Sequence, residues 1–160
     1  MLPAGTSALL ALDNQVCFAL HVATRAVQRA YQPLLGDLSL TYPQYLVMLV
    51  LWEWEQAHEP RPTLRALGER LDLDSGTLTP LLRRLEQKRL ITRSRSREDG
   101  RALLIRVTRR GSSLKERAAS VPMQMIASSP FSLEELVSLR EQLKRLRTGL
   151  VAQESTHETV

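Results

Sequence analysis

Cys17 is the one cysteine of this 160-residue chain, with Asp13 four residues before it and His21 four residues after. A thiol reacts as its thiolate, so its neighbours decide its use. With Asp13 as the N-cap of a helix, Cys17 falls in the first turn, where the macrodipole favours a negative sulfur. His21, one turn further on, adds to that effect when protonated. Asp13 opposes it, and a cysteine on a helix is commonly an inert packing residue. These residues alone leave Cys17 open between a reactive thiol and a structural one. A single cysteine has no disulfide partner in its own chain, which suits a reducing cytoplasm. His21, His58 and His157 are scattered, so no metal-ligand cluster forms and no cofactor is expected.

A second group of residues has the spacing to read DNA. Asp74-Ser-Gly-Thr-Leu-Thr-Pro-Leu-Leu-Arg83 follows Leu64-Arg-Ala-Leu-Gly-Glu-Arg-Leu-Asp-Leu73 and precedes Arg84-Leu-Glu-Gln-Lys-Arg-Leu-Ile91. Two short amphipathic helices meet across a tight turn, and the second opens on small hydroxyl residues and carries basic ones. That is a helix-turn-helix, whose second helix enters the major groove. Thr77 and Thr79 suit base edges or thymine methyls, and Ser75 and Gly76 suit the backbone. Arg83 and Arg84 suit bases or phosphates. Two β-prone segments, Ile91 to Ser96 and Ala102 to Thr108, flank the turn Arg97-Glu-Asp-Gly-Arg101. They read as a hairpin, and a hairpin after a recognition helix is a wing. Arg101 is expected in the minor groove with Asp99 holding its guanidinium, while Arg93 and Arg95 suit phosphate or solvate a strand.

Charge segregates with these motifs. Residues 1–60 hold 2 basic and 5 acidic side chains, residues 61–110 hold 14 and 6, and residues 111–160 hold 6 and 6. The net charge of +5 is therefore supplied by the middle third, the electrostatic footprint of a protein that binds a polyanion.

Helices must position these groups. Hydrophobic residues make up 43% and aromatics 4%, and the abundance of leucine favours a mainly α fold. Leu12, Val16, Leu20, Ala23, Val27 and Ala30 form an apolar stripe at helical spacing, ended or kinked by Pro33 and Gly36. Thr41-Tyr-Pro-Gln44 reads as a capping box with Leu40 stapled to Tyr45, opening a buried helix to about Glu55. His58 to Pro62 forms a connector, a third helix spans about Thr63 to Leu71, and a fourth starts near Ser75–Thr77, with Pro80 in its first turn. After the wing, Thr108 caps a helix towards Val121 that Pro122 interrupts. Ser132-Leu-Glu-Glu135 is a second capping box, followed by a heptad seam of Leu136, Leu139, Leu143, Leu146 and Leu150 that suits a partner subunit. Residues 153–160 read as a polar, frayed tail. The longest apolar run, Tyr45 to Trp52, is eight residues, too short for a membrane span.

Helices, helix-turn-helix, wing and helices together resemble the MarR family of dimeric winged-helix regulators over nearly the whole chain. The Glu98-Asp99-Gly100-Arg101 turn is similar to that family's wing signature. Leu12-Asp-Asn-Gln-Val-Cys-Phe18, Leu40-Thr-Tyr-Pro-Gln-Tyr-Leu46 and Leu73-Asp-Ser-Gly-Thr-Leu-Thr-Pro-Leu-Leu-Arg-Arg84 resemble the organic-hydroperoxide-resistance regulators (OhrR), in their one-cysteine form. The resemblance implies a single domain over 1–160, with dimerisation helices at about 9–36 and 109–152 and the winged helix-turn-helix at about 42–108. It implies that Cys17 senses organic hydroperoxide and that Tyr31 and Tyr42 hold the reduced thiolate. His21 departs from the pattern, which has an aromatic residue there.

Tyr31 lies 14 residues beyond Cys17, about 21 Å along one straight helix, so its support must come from a second subunit. The pairing implies a two-fold homodimer with antiparallel first helices and an inverted-repeat operator, its recognition helices about 34 Å apart. A thiolate and a hydroperoxide give a sulfenic acid. Without a second cysteine it meets a small-molecule thiol, cyclises to a sulfenamide or oxidises further. The rival readings are a MarR-type repressor released by a small aromatic ligand with Cys17 structural, a cysteine peroxidase, and a protein-interaction module.

Overall fold

Capping chemistry sets most of the element boundaries. The computed structural model describes residues 9–59 and 62–157, in two compact units, Met1–Val121 and Pro122–Val160. A 3-10 turn, Leu12–Asn14, precedes α1, Val16–Gly36. Pro33 does not end α1. It lies inside the last turn, and the helix stops at Gly36. The expected capping box opens α2, Tyr42–Ala57: the Gln44 N–H donates to Thr41 Oγ1 at 3.5 Å and the Thr41 N–H to Gln44 Oε1 at 3.2 Å. Leu40 and Tyr45, the expected staple, are both buried. Of the connector, Pro60 and Arg61 lie outside the described residues.

Thr63 caps α3, Leu64–Leu71, and Asp74 caps α4, Ser75–Gln87. Between them Asp72 turns left-handed at φ 57° and the Leu73 N–H returns to Gly68 O at 3.0 Å. The turn needs a glycine at 68, because a Cβ there would stand 2.7 Å from Leu73 O. Pro80 is the sixth residue of α4, beyond its first turn, and withholds the N–H that would reach Gly76 O.

Strands β1, Ile91–Arg95, and β2, Leu103–Val107, pair antiparallel from Ile91↔Val107 to Arg95↔Leu103. Helix α5, Arg109–Ala118, is capped by Thr108, and Gly111 admits the close passage of Leu90, whose O would lie 2.2 Å from a Cβ. The Trp52 indole N–H donates to Gly111 O at 2.9 Å, tying α5 to α2. Leu114, Ala118 and Val121 are buried in this first unit. The segment expected as 109–152 is therefore divided, because α5 packs with the winged helix-turn-helix. Leu67, Leu78, Leu82, Leu85 and Ile105, all at 0% exposure, lie in the hydrophobic core.

Helix α6, Val121–Ala127, opens on the last residue of the first unit and holds Pro122 at its start, and in the second unit α7 spans Leu133–His157. Ser132 and Glu135 form the expected box: the Ser132 N–H donates to Glu135 Oε2 at 2.7 Å and the Glu135 N–H to Ser132 Oγ at 3.2 Å. The helix runs on through the expected frayed tail to His157, since residues 153–157 contain no Pro or Gly to stop it. Residues 158–160 lie outside the described range.

Candidate DNA interface and sensing thiol

Leu78, Leu82 and Leu85 turn one face of α4 into the core, and this fixes what the other face presents. Ser75, Gly76, Thr77, Thr79, Arg83 and Arg84 are all exposed. Asp74, absent from the expected site residues, organises this end. Its Oδ1 accepts from the Thr77 N–H at 2.9 Å and its Oδ2 from the Thr77 hydroxyl at 2.7 Å. The Thr77 side-chain and backbone hydrogen bonds hold the Asp74 carboxyl below its ordinary range. Its signal in the sequence was an aspartate three residues before a threonine at a helix start. The Thr79 hydroxyl donates to Ser75 O at 2.7 Å. With their protons engaged inside the helix, both threonines present methyl groups and lone pairs.

The wing tip is built by its own hydrogen bonds. Ser96 Oγ accepts from the N–H groups of Glu98 (3.3 Å) and Asp99 (3.2 Å), and the Arg95 guanidinium donates to Gly100 O at 3.1 Å. Asp99 does not hold the Arg101 guanidinium as expected. Its Oδ1 accepts from the Arg101 backbone N–H at 3.0 Å, so it shapes the loop and leaves the side chain to project. Arg93 turns to a partner the sequence did not suggest: its guanidinium and N–H are both bonded to Glu86. Arg65 and Arg106, unassigned from sequence, line one concave face with Thr63, Arg95, Arg97 and Arg101. Only folding juxtaposes them, so their spacing carried no signal.

Cys17 is the second residue of α1 and is exposed. Asp13 is not its N-cap. Gln15 holds that position without a side-chain cap bond, while its amide turns back to donate to Leu9 O and Ala11 O. Asp13 instead lies in the preceding 3-10 turn. Cys17 still occupies the first helical turn, beside N–H groups that have no partner within the helix. His21 follows one turn later and is exposed.

The three tyrosines of the chain gather at the far end of α1. Tyr31 packs its ring 4.9 Å from that of Tyr42 and 5.8 Å from that of Tyr45. Tyr31 and Tyr42 are half-buried and Tyr45 is buried. Burial raises the pKa of Tyr31 and Tyr42, with Tyr42 adding to the effect on Tyr31. Burial, then Tyr31 and Tyr42, push Tyr45 up to about 12. All three phenols therefore keep their protons at neutral pH, and the half-buried Tyr31 and Tyr42 are the ones placed to donate to an anion. Tyr45 was read from sequence only as a staple, because its closeness to Tyr31 depends on how α1 packs on α2. Since α1 is continuous from Val16 to Gly36, Cys17 and Tyr31 remain about 21 Å apart within one chain.

Among the described residues, no group of three or more His, Cys, Asp or Glu could hold a metal ion. Nor is any described helix long and apolar enough to cross a membrane.

A family model described as Transcriptional regulator SarA/Rot matches residues 29–118. The organic hydroperoxide resistance transcriptional regulator of Bacillus subtilis is 47% identical over 135 residues, 84% of this chain and 88% of that protein. Among solved structures, reduced AbfR bound to DNA is 36% identical with a TM-score of 0.70, covering 88% of this chain and 96% of that one. Overoxidised AbfR bound to DNA is 34% identical with a TM-score of 0.72, covering 91% and 99%. AbfR is a protein of Staphylococcus epidermidis.

Proposed function

The chain belongs to the MarR family of winged helix-turn-helix regulators, in its organic-hydroperoxide-resistance branch, and from that premise we propose how its residues sense and read. It is a redox-sensing, DNA-binding transcriptional regulator. As a homodimer it holds an inverted-repeat operator, with Thr77, Thr79, Arg83 and Arg84 in the major groove and Arg101 in the minor groove. Ser75, Gly76 and Arg95 lie along the backbone, and Asp99 shapes the loop that carries Arg101. It acts in the cytoplasm, where Cys17 stays reduced until peroxide arrives. The peroxide is a signal, consumed once per thiol, and not a substrate turned over.

The thiolate of Cys17 attacks the terminal oxygen of an organic hydroperoxide. An S–O bond forms, the O–O bond breaks, and the departing alkoxide takes a proton to leave as an alcohol. Sulfur is oxidised by two electrons to the sulfenic acid and the peroxide is reduced. Tyr31 and Tyr42 of a second subunit donate to the thiolate before reaction and lose that partner after it. A small-molecule thiol then displaces water from the sulfenic acid to give a mixed disulfide. AbfR is bound to DNA both when reduced and when overoxidised. We therefore assign operator release to the bulkier mixed disulfide, which separates the first helices and the recognition helices they carry.

One observation carries the reading. The exposed first-turn cysteine and the proton-bearing tyrosine cluster sit at opposite ends of one helix, an arrangement that an antiparallel pair of such helices completes twice. The experiment is fluorescence anisotropy on an inverted-repeat fragment from beside the protein's own gene. Wild type and Cys17→Ser are compared after an organic hydroperoxide plus a physiological thiol. Wild type is expected to leave the DNA and Cys17→Ser to stay. Release of both would reject Cys17 as the sensor.

A further inference from the structure

Arg93 stands in the middle of β1, opposite Ile105 in the ladder, and its guanidinium points back to the recognition helix. Its Nε donates to Glu86 Oε2 at 2.9 Å and its Nη2 to the same oxygen at 2.6 Å. The Arg93 backbone N–H donates to the other oxygen, Oε1, at 3.1 Å. The pair is partly sheltered, with side-chain exposures of 22% for Arg93 and 37% for Glu86. The hydrogen bond from the Arg93 side chain keeps the Glu86 carboxyl below its ordinary range, so the pair is ionised at neutral pH.

Between α4 and β1 lie only Lys88, Arg89 and Leu90. Arg89 turns left-handed at φ 59°, and the Leu90 N–H returns to Leu85 O at 3.0 Å. The Thr108 hydroxyl and N–H bind Arg89 O (2.7 Å) and Leu90 O (3.0 Å). These bonds fix the root of the hairpin. They act at one end of a lever, because Arg101 lies beyond the far end of strands that rise about 3.3 Å per residue. A tilt of about 10° at the root would move a tip roughly 20 Å away by more than 3 Å, enough to lose a groove contact. The bonds between Arg93 and Glu86 are made two residues up the strand, where they oppose that tilt.

We propose that Glu86 and Arg93 form a clamp that fixes the offset between the base-reading face of α4 and Arg101 of the wing, making Arg93 a positioning residue for DNA recognition and not a phosphate anchor. This rests on the DNA-binding reading above. The two roles differ in sign. If Arg93 anchored phosphate, Glu86 would only compete for it and repel DNA, so Glu86→Gln would tighten binding. Arg93→Gln would also lower the slope of log affinity against log salt by about 1. If the pair is a clamp, Glu86→Gln weakens operator binding and Arg93→Gln leaves the salt slope unchanged.

The test is operator affinity over a range of salt for wild type, Glu86→Gln, Arg93→Gln, Arg93→Lys, Arg101→Ala and the double variant Glu86→Gln/Arg101→Ala. Glu86→Gln is expected to weaken binding on the order of tenfold. The loss caused by Arg101→Ala should shrink from about tenfold to under about threefold in the Glu86→Gln background, because an arginine already out of register has little left to lose. Arg93→Lys keeps the charge but not the fork, so it should resemble Glu86→Gln, whereas a phosphate anchor would tolerate it. Thermal unfolding of each variant separates loss of the clamp from loss of the fold. Tighter binding by Glu86→Gln, a reduced salt slope for Arg93→Gln, or additive losses in the double variant would overturn the clamp. Failure of wild type to bind any operator fragment would instead remove the DNA reading, and the clamp with it.

Discussion

Leu67, Leu78, Leu82, Leu85 and Ile105 of the DNA-reading part lie wholly out of solvent, while Val16, Val22 and Val27 of α1 stay 66%, 43% and 37% exposed. The first set closes a core within one chain around elements that cap and clamp each other. The second set continues an apolar stripe along a helix of which only Leu35, near its end, is buried. In the second unit α7 shows the same openness, with Leu139, Leu143, Leu146 and Leu150 all exposed. Exposed apolar stripes of this kind mark surfaces that another chain covers. On the proposed reading one chain reads each half-site, and holding two half-sites in register and supporting the thiolate take two.

The largest effect should come from charging the open region. Val27→Glu puts a carboxylate on the α1 stripe and should split the dimer, lowering operator affinity on the order of 10³-fold as specific two-site binding is lost. Sedimentation and anisotropy report the two losses together, and circular dichroism should show the helices retained. An unfolded Val27→Glu variant would break the comparison, since it would make α1 part of the chain's own core. Leu82→Ala tests the closed region. Removing a fully buried leucine should cost about 3–5 kcal/mol in chemical denaturation, with the loss falling on folding before assembly.

The same division explains what could be read in the sequence. The caps at Thr41, Thr108 and Ser132, the hairpin and the helix-turn-helix are local in chain, and residues a few positions apart announced each of them. Where expectation failed, a side chain had a better partner elsewhere. Arg93 took Glu86 seven residues away instead of facing outward. Asp99 bonded the backbone of Arg101 and not its guanidinium. Gln15 displaced Asp13 as the cap. Tyr45 joined Tyr31 and Tyr42 through packing that has no periodic signature. Cys17 could be located from sequence, but its chemistry could not be decided by the residues beside it, because the groups proposed to hold its thiolate, Tyr31 on α1 and Tyr42 on α2, meet only through packing at the far end of α1.

The two regions meet at the tyrosines, and Tyr31→Phe sharpens the comparison there at smaller cost. Phenylalanine keeps the ring that packs on Tyr42 and Tyr45 but removes a donor to the thiolate of a second subunit. One hydrogen bond to a charged group is worth about 1.5–3 kcal/mol, so its loss should slow the reaction of Cys17 with peroxide several-fold. The peroxide-oxidation rate measures this, and operator affinity of the reduced protein should be unchanged. Equal reactivity in wild type and Tyr31→Phe would detach the tyrosine cluster from sensing.

The smallest effect lies outside the physiological range, and its sign tests how firmly Tyr45 belongs to the closed side. A phenol whose pKa rises on folding binds its proton more tightly in the folded chain than in the unfolded one. Its contribution to stability is then complete below the unfolded value of 10.0 and is lost as pH climbs through the folded value of about 12. Wild-type stability should accordingly fall between those limits. Part of that slope should vanish in Tyr45→Phe, which packs the same ring with no proton to lose, while Tyr31 and Tyr42, raised less, keep the remainder. A slope unchanged by Tyr45→Phe would mean that the Tyr45 hydroxyl meets solvent when α1 moves. The cluster would then belong to the open helix, and the border between the two regions would run between Tyr45 and the leucine core instead of between Tyr31 and Tyr45.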